Sequence, residues 1–142
     1  MPITVYATEG ILNAEAEQAV FSELTHLFLR LHQLEGNDFI TPNIIGEVRR
    51  IPPEQSYAGG KPASIVIIEL KVPSFALAEP NQREAFIEEA TSIVQGASGG
   101  RQPKEQIWVN MVYAIDGFWG IGGKSYTNDQ LIAAVSQEAV SG

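Results

Sequence analysis

The order of apolar stretches and breakers predicts an α/β domain in which two consecutive βαβ units form a four-stranded sheet with two helices on one face. Three observations carry that expectation. The succession strand, helix, strand occurs twice, with 63 − 3 = 60 residues between the two starts. A Gly- and Pro-rich stretch separates the repeats. The 142 residues are 44% hydrophobic with a mean hydropathy of −0.01, which suits one domain able to bury a core of its own. The expected organisation is a single domain over 1–142, with the first unit over 2–51, a linker over 52–62, the second unit over 63–115, and a Gly-rich segment with a short helix over 116–142.

The first strand is expected from Ile3 to Thr8, with Ile3 and Val5 on one face and Thr4 and Tyr6 on the other, broken by Glu9-Gly10. Asn13 is a candidate N-cap for an amphipathic helix whose apolar positions are Ala16, Val20, Phe21, Leu24, Leu27, Phe28 and Leu31, closed by Gly36. Phe39 to Ile51 reads as a strand entered through Pro42. After the loop that contains Gly59-Gly60, Ala63 to Val72 carries the near-continuous apolar run of a central strand. Pro80 opens the second helix, with Ala85, Phe86, Ile87, Ala90, Ile93 and Val94 as its apolar positions, and Gly96, Gly99 and Gly100 end it. Ile107 to Ile115 is the closing strand, and Thr127 with Gln130 has the spacing of a capping box for a last helix.

Nine Lys and Arg against seventeen Asp and Glu give 9 − 17 = −8, which argues against a phosphate-backbone partner and so against nucleic acid. The absence of Cys excludes thiolate metal sites and Cys nucleophiles, and two His leave little for a metal centre. His26 and His32 fall toward the polar side of the first helix. No apolar run approaches a membrane span, and the start Met1-Pro2-Ile3-Thr4-Val5-Tyr6 has no secretory character, so a cytoplasmic location is expected. Gly123-Lys124-Ser125 suggests a phosphate loop, but its required first glycine falls on Phe118. Pro2 is the chemically distinctive residue. If Met1 is removed, the chain begins with a secondary amine, whereas a retained Met1 makes that nitrogen a tertiary amide.

Pro2 before a strand, two βαβ units, Glu9-Gly10, and Gly117-Phe118-Trp119-Gly120-Ile121-Gly122-Gly123 together resemble the tautomerase superfamily, over roughly Pro2 to Thr127. The first helix's Ser22-Glu23-Leu24-Thr25, together with Gly59-Gly60 and Ile107-Trp108-Val109-Asn110, is similar to its macrophage migration inhibitory factor branch. The glycine-rich segment is similar to its 4-oxalocrotonate tautomerase branch. The resemblance implies a homotrimer and a cofactor-independent tautomerase acting on a small enolisable keto acid. It implies Pro2 as general base, with Lys71, Asn110, Trp108 and Trp119 as substrate-binding residues. Departures bear on the substrate: Ile11 and Trp108 replace arginines of the pattern, and Phe28 stands where a helical histidine would lie. Arg50, with Arg49, is then a candidate cation supplied from a neighbouring subunit. Two alternatives stand beside this reading: a non-catalytic trimer of the same fold that binds through its pocket or surface, and an unrelated ferredoxin-like βαββαβ domain.

Overall fold

A computed structural model describes the backbone of residues 1–141 and the side chains of residues 1–136. Its main sheet is built from β1 (Ile3–Thr8), β2 (Gly46–Ile51), β5 (Val66–Pro73) and β6 (Ile107–Ala114), in the spatial order β2-β1-β5-β6. Two short hairpins supply β3 (Tyr57–Ala58) with β4 (Lys61–Pro62) and β7 (Trp119–Ile121) with β8 (Lys124–Tyr126). The helices are α1 (Ala14–Leu31), α2 (Pro80–Ala97) and α3 (Asn128–Ser141). β1 and β2 are parallel, as are β5 and β6, while β1 and β5 meet antiparallel. Each unit therefore keeps its two strands adjacent, which separates the fold from the split βαβ arrangement of ferredoxin-like domains.

The alternating pattern of β1 works as the sequence predicts. Ile3 and Val5 are buried beneath α1 and α2, while Thr4 and Tyr6 lie on the uncovered face. Along β5, Val66, Ile68, Leu70 and Val72 are buried and Ile67, Glu69 and Lys71 are more open. Val20, Leu24, Leu27 and Phe28 of α1 and Phe86, Ala90 and Val94 of α2 complete the core. The Asn13 side chain accepts the Ala16 N–H at 2.7 Å, the expected N-cap. The capping box before α3 is formed in both directions, with Thr127 N–H donating to Gln130 Oε1 at 2.9 Å and Gln130 N–H to Thr127 Oγ1 at 3.1 Å.

Four local expectations are corrected. The stretch from Phe39 is not strand until Gly46. Asn37 Oδ1 accepts the N–H groups of Phe39 (3.1 Å) and Ile40 (2.9 Å), folding the chain into a 3₁₀ turn at Thr41–Asn43, where Pro42 has no N–H for a ladder. The linker holds the β3–β4 hairpin, turned at Gly59-Gly60. Ile87 is 44% exposed, because α2 turns it past the edge of the helix pair. His32 is half-buried rather than on the surface; its Nε2 accepts the Leu77 N–H at 3.0 Å and its Nδ1 lies 2.9 Å from the Phe28 carbonyl. These partners select the neutral imidazole with its proton on Nδ1, and burial lowers its pKa below the usual 6.5.

The face opposite the helices is uncovered. The register aligns Thr4, Glu69 and Asn110 in one row and Tyr6, Ile67 and Trp108 in the next, with Glu47 and Arg49 continuing those rows on β2. Trp108 and Val112 are 41% and 48% exposed, an apolar surface of the kind that association covers. No helix among the described residues is long and apolar enough to cross a membrane.

Candidate active site

The N-terminus, the end of the Asn43–Ile45 segment and the β7–β8 hairpin converge on a cleft of about 430 Å³ lined by Met1, Pro2, Asn43, Ile45, Trp119, Gly120 and Ile121. Each wall has a local cause. Gly46 lets β2 begin against α1, since a Cβ there would stand 2.3 Å from the Phe21 ring. Gly122 and Gly123, at φ of +59° and +85°, make the tight turn that folds Trp119–Ile121 back on Lys124–Tyr126. Trp119, half-buried against the core, is thereby brought beside Pro2.

Pro2 is held by its carbonyl, which accepts the Lys71 N–H at 3.0 Å, while the next residue, Ile3, donates its N–H to the Ile45 carbonyl at 2.8 Å. Lys71 thus stands directly across from Pro2, one step beyond the Ile3–Leu70 pair, and both face the open side of the sheet. The Lys71 side chain is 59% exposed and its Nζ lies 3.7 Å from Glu69 Oε1. Met1 is 5% exposed; its amine donates to the Asn43 carbonyl and its carbonyl accepts the Ile45 N–H at 3.3 Å. Burial lowers the pKa of that terminal amine from 8.0 to about 6. The Met1 amine is therefore largely neutral near pH 7.

Of the residues expected at the site, Pro2 and Trp119 line the cleft, and Lys71 is paired with Pro2 through the backbone. Asn110 and Trp108 share the open face but sit on β6, two strands from β1, which is about 9.5 Å in the hydrogen-bonding direction. Arg50 is placed elsewhere. It pairs with Ala7, toward the far end of β1, and its guanidinium grips the buried Glu17 of α1, with Nη2 to Oε1 at 2.6 Å and Nε to both carboxylate oxygens at 3.2 Å. That hydrogen-bonded carboxylate raises the Arg50 pKa and ties its side chain to the helix face of the sheet. Asn43 and Ile45, which contribute backbone groups to the cleft, carry no signal in their side-chain types. Only the folded path of the Asn37–Asn43 turn reveals them. Among the described residues, no group of three His, Asp or Glu side chains is arranged to hold a metal ion.

This sheet, with paired βαβ units and a Gly-turned C-terminal hairpin beside Pro2, has the tautomerase fold that the resemblance in sequence implies. No protein-family model matches the chain, and no curated protein matches it in sequence. Solved structures do match it. The crystal structure of N1, a member of the cis-3-chloroacrylic acid dehalogenase family, superposes with a TM-score of 0.75 at 16% identity over 99% of both chains. Pt0534 inactivated by 2-oxo-3-pentynoate gives a TM-score of 0.74 at 14% identity over 92% of this chain and 98% of that one. A fused 4-OT, a wild-type asymmetric trimer, gives 0.73 at 15% identity over 88% and 95%. The likeness to these proteins is one of fold.

Proposed function

We propose that the chain is a cofactor-independent tautomerase whose general base is the amine of Pro2, exposed by removal of Met1, and whose substrate is a small enolisable 2-oxo acid. The observation that carries this reading is the placement of Pro2 beside Trp119 in a cleft whose burial disfavours a charged amine, as it does that of Met1. In the direction of ketonisation, neutral Pro2 takes the proton of the enol hydroxyl. The O–H electron pair becomes the carbonyl π bond, and the carbon–carbon π pair takes a proton from the Pro2 ammonium, restoring the base. Proline suits the task because its ring fixes the nitrogen relative to β1. Lys71, across the ladder from Pro2, attracts the substrate carboxylate and disfavours the ammonium form of Pro2. Trp119 walls the cleft.

The uncovered sheet face supports assembly as a homotrimer, in keeping with the trimeric fused 4-OT of similar fold. In such an assembly Asn110 and Trp108 take part where subunits meet, and Arg50 does so only if its hold on Glu17 is given up to a neighbour's site. The 2-oxo acid that inactivates Pt0534 agrees with the proposed substrate class. The absence of the arginine pattern favours a monocarboxylate over a dicarboxylate. A cytoplasmic location fits this chemistry.

One observation favours a second reading, a non-catalytic binding protein of the same fold. With Met1 in place, its side chain is buried, its amine is bonded to Asn43, and the Pro2 nitrogen is an amide with no basicity. Intact mass of the native protein and ketonisation of phenylpyruvate by the wild type, Pro2→Ala and an N-terminally extended chain decide between them. Activity confined to the wild type beginning at Pro2 supports catalysis. Retained Met1, or activity indifferent to both changes, supports the binding protein.

A further inference from the structure

The two βαβ units are related by a local two-fold, and that relation produces a second cleft. β1 and β5 run antiparallel, with the Lys71 N–H on the Pro2 carbonyl at one end and the Thr8 N–H on the Ile65 carbonyl at the other, both at 3.0 Å. Ile65 is thus the counterpart of Pro2 and Ser64 of Met1. Gln106, just before the Ile107–Val66 pair, is the counterpart of Ile45, just before the Gly46–Ile3 pair. At that end of the sheet lies a cleft of about 340 Å³, lined by Ser64 and Gln106 together with Glu9, Ile11, Arg101 and Gln102 among others. It repeats the position of the Pro2 cleft without its base, because the Ile65 nitrogen is an internal amide that donates to Thr8 Oγ1 at 2.9 Å.

Gln102 is the buried polar residue of this cleft, 4% exposed. Its Nε2 donates to the Ser64 and Gln106 carbonyls at 2.9 and 3.1 Å, which fixes the other end of the carboxamide as oxygen. That Oε1 accepts no hydrogen bond from the described residues. No fully buried side-chain N or O among them lacks a partner, so Oε1 opens on the cleft. Gly99 and Gly100, at φ of +71° and +77°, turn the chain out of α2 ahead of Arg101. Arg101 is anchored by Nε on the Ser98 carbonyl at 2.9 Å, and its two Nη groups have no partner among the described residues. Neither Arg101 nor Glu9 belongs to an ion pair there.

We infer that this second cleft binds an aliphatic α-amino acid as its zwitterion. The ammonium donates to Gln102 Oε1 and faces the Glu9 carboxylate, the carboxylate accepts the two Nη groups of Arg101, and the side chain lies on Ile11 and Pro103. Each wall group calls for one part of that ligand. A nearly buried carbonyl without a donor is costly, so a ligand N–H is favoured there. The planar fork of Arg101 suits a carboxylate held by two bonds. Ile11, 8% exposed, supplies apolar surface for the tail. A plain carboxylate satisfies Arg101 and is repelled by Glu9; a plain amine satisfies Glu9 and Gln102 and is repelled by Arg101. The volume lies in the lower part of the range of small-molecule sites, about 300–1,000 Å³. The cleft shares no lining residue with that of Pro2 and stands apart from any proton transfer there.

The test is calorimetric titration of the full chain with L-leucine. Removing the ammonium, as in 4-methylpentanoate, or the carboxylate, as in 3-methylbutylamine, weakens binding by about tenfold or more, the measure of hydrogen bonds to charged groups. Removing the tail, as in glycine, weakens it by about tenfold or more as well. Arg101→Gln and Glu9→Gln each weaken leucine binding. The Glu9 carboxylate holds no hydrogen bond of the fold among the described residues, so Glu9→Gln reads the site even where Arg101→Gln lowers stability. Leucine binds equally to the chain that keeps Met1, produced under inhibition of methionine aminopeptidase, and to the chain that begins at Pro2, because neither residue lines this cleft. Failure of leucine to bind, equal affinity for 4-methylpentanoate or 3-methylbutylamine, affinity unchanged in Glu9→Gln, or binding lost when Met1 is retained overturns the inference.

Discussion

Lys71→Met is the substitution whose effect on Pro2 follows most directly from the ladder. Lys71 lies across from Pro2 on the open face, where cross-strand side chains are about 5 Å apart at Cβ. Its ammonium is 59% exposed and drawn toward Glu69, so its field at the Pro2 nitrogen acts through a nearly aqueous dielectric. At roughly 6 Å and a dielectric constant of about 80 the interaction is about 0.7 kcal/mol, or about half a pH unit in the midpoint of Pro2. Removing the cation makes the ammonium form of Pro2 easier to reach, so Lys71→Met raises that midpoint. Glu69→Gln removes an anion from the same face and frees the Lys71 charge, so it lowers the midpoint. The pH dependence of kcat/KM for phenylpyruvate, measured on chains that begin at Pro2, reads both shifts. An unchanged or lowered midpoint in Lys71→Met, or the same direction in both variants, refutes the placement of Lys71 beside the base.

Three further outcomes are expected. His32 is held neutral by the Leu77 N–H and its folded pKa lies below 6.5, so the unfolded chain binds the extra proton first. Its contribution to stability is complete above about pH 6.5 and is lost as pH falls from there through the folded pKa; urea denaturation should lose more stability on acidification in the wild type than in His32→Gln. Phe86→Ala, at a fully buried position, costs about 3–5 kcal/mol, whereas Ile87→Ala, 44% exposed, costs less than about 1 kcal/mol by the same denaturation experiment. Arg50→Ala strands the Glu17 carboxylate, whose side chain is only 9% exposed, and lowers the melting temperature; adding Glu17→Gln recovers part of the loss, and no recovery would show that the pair is not what Arg50 supplies.

The parts of the fold legible in the sequence are those where one local signal decides. Asn13 caps a helix because its own side chain reaches the Ala16 N–H, and the Thr127 and Gln130 pair closes on itself within one turn. The parity of Ile3, Thr4, Val5 and Tyr6 gives both faces of β1, and hence the open face that carries Lys71. What escaped the sequence depends on partners distant along the chain. Phe39 to Ile45 has strand-like composition, but Asn37 takes its first N–H groups. His32 sits on a helix edge that becomes half-buried only when Leu77, 45 residues later, donates to it. Arg50 looks free until Glu17, 33 residues earlier, is found to hold it. The burial of Met1 has no local signature at all.

Catalysis by Pro2 depends on the chemical state of the first residue. The most direct measurement is therefore phenylpyruvate ketonisation by mass-verified chains that begin at Pro2, beside the same chain with Met1 retained and beside Pro2→Ala. Turnover is expected in the first, a fall of about 10²- to 10⁴-fold in the Met1-retaining chain, the range one general base supplies, and a smaller fall in Pro2→Ala, which keeps a primary amine. Equal rates in all three, or no turnover by the chain that begins at Pro2, would contradict catalysis by Pro2.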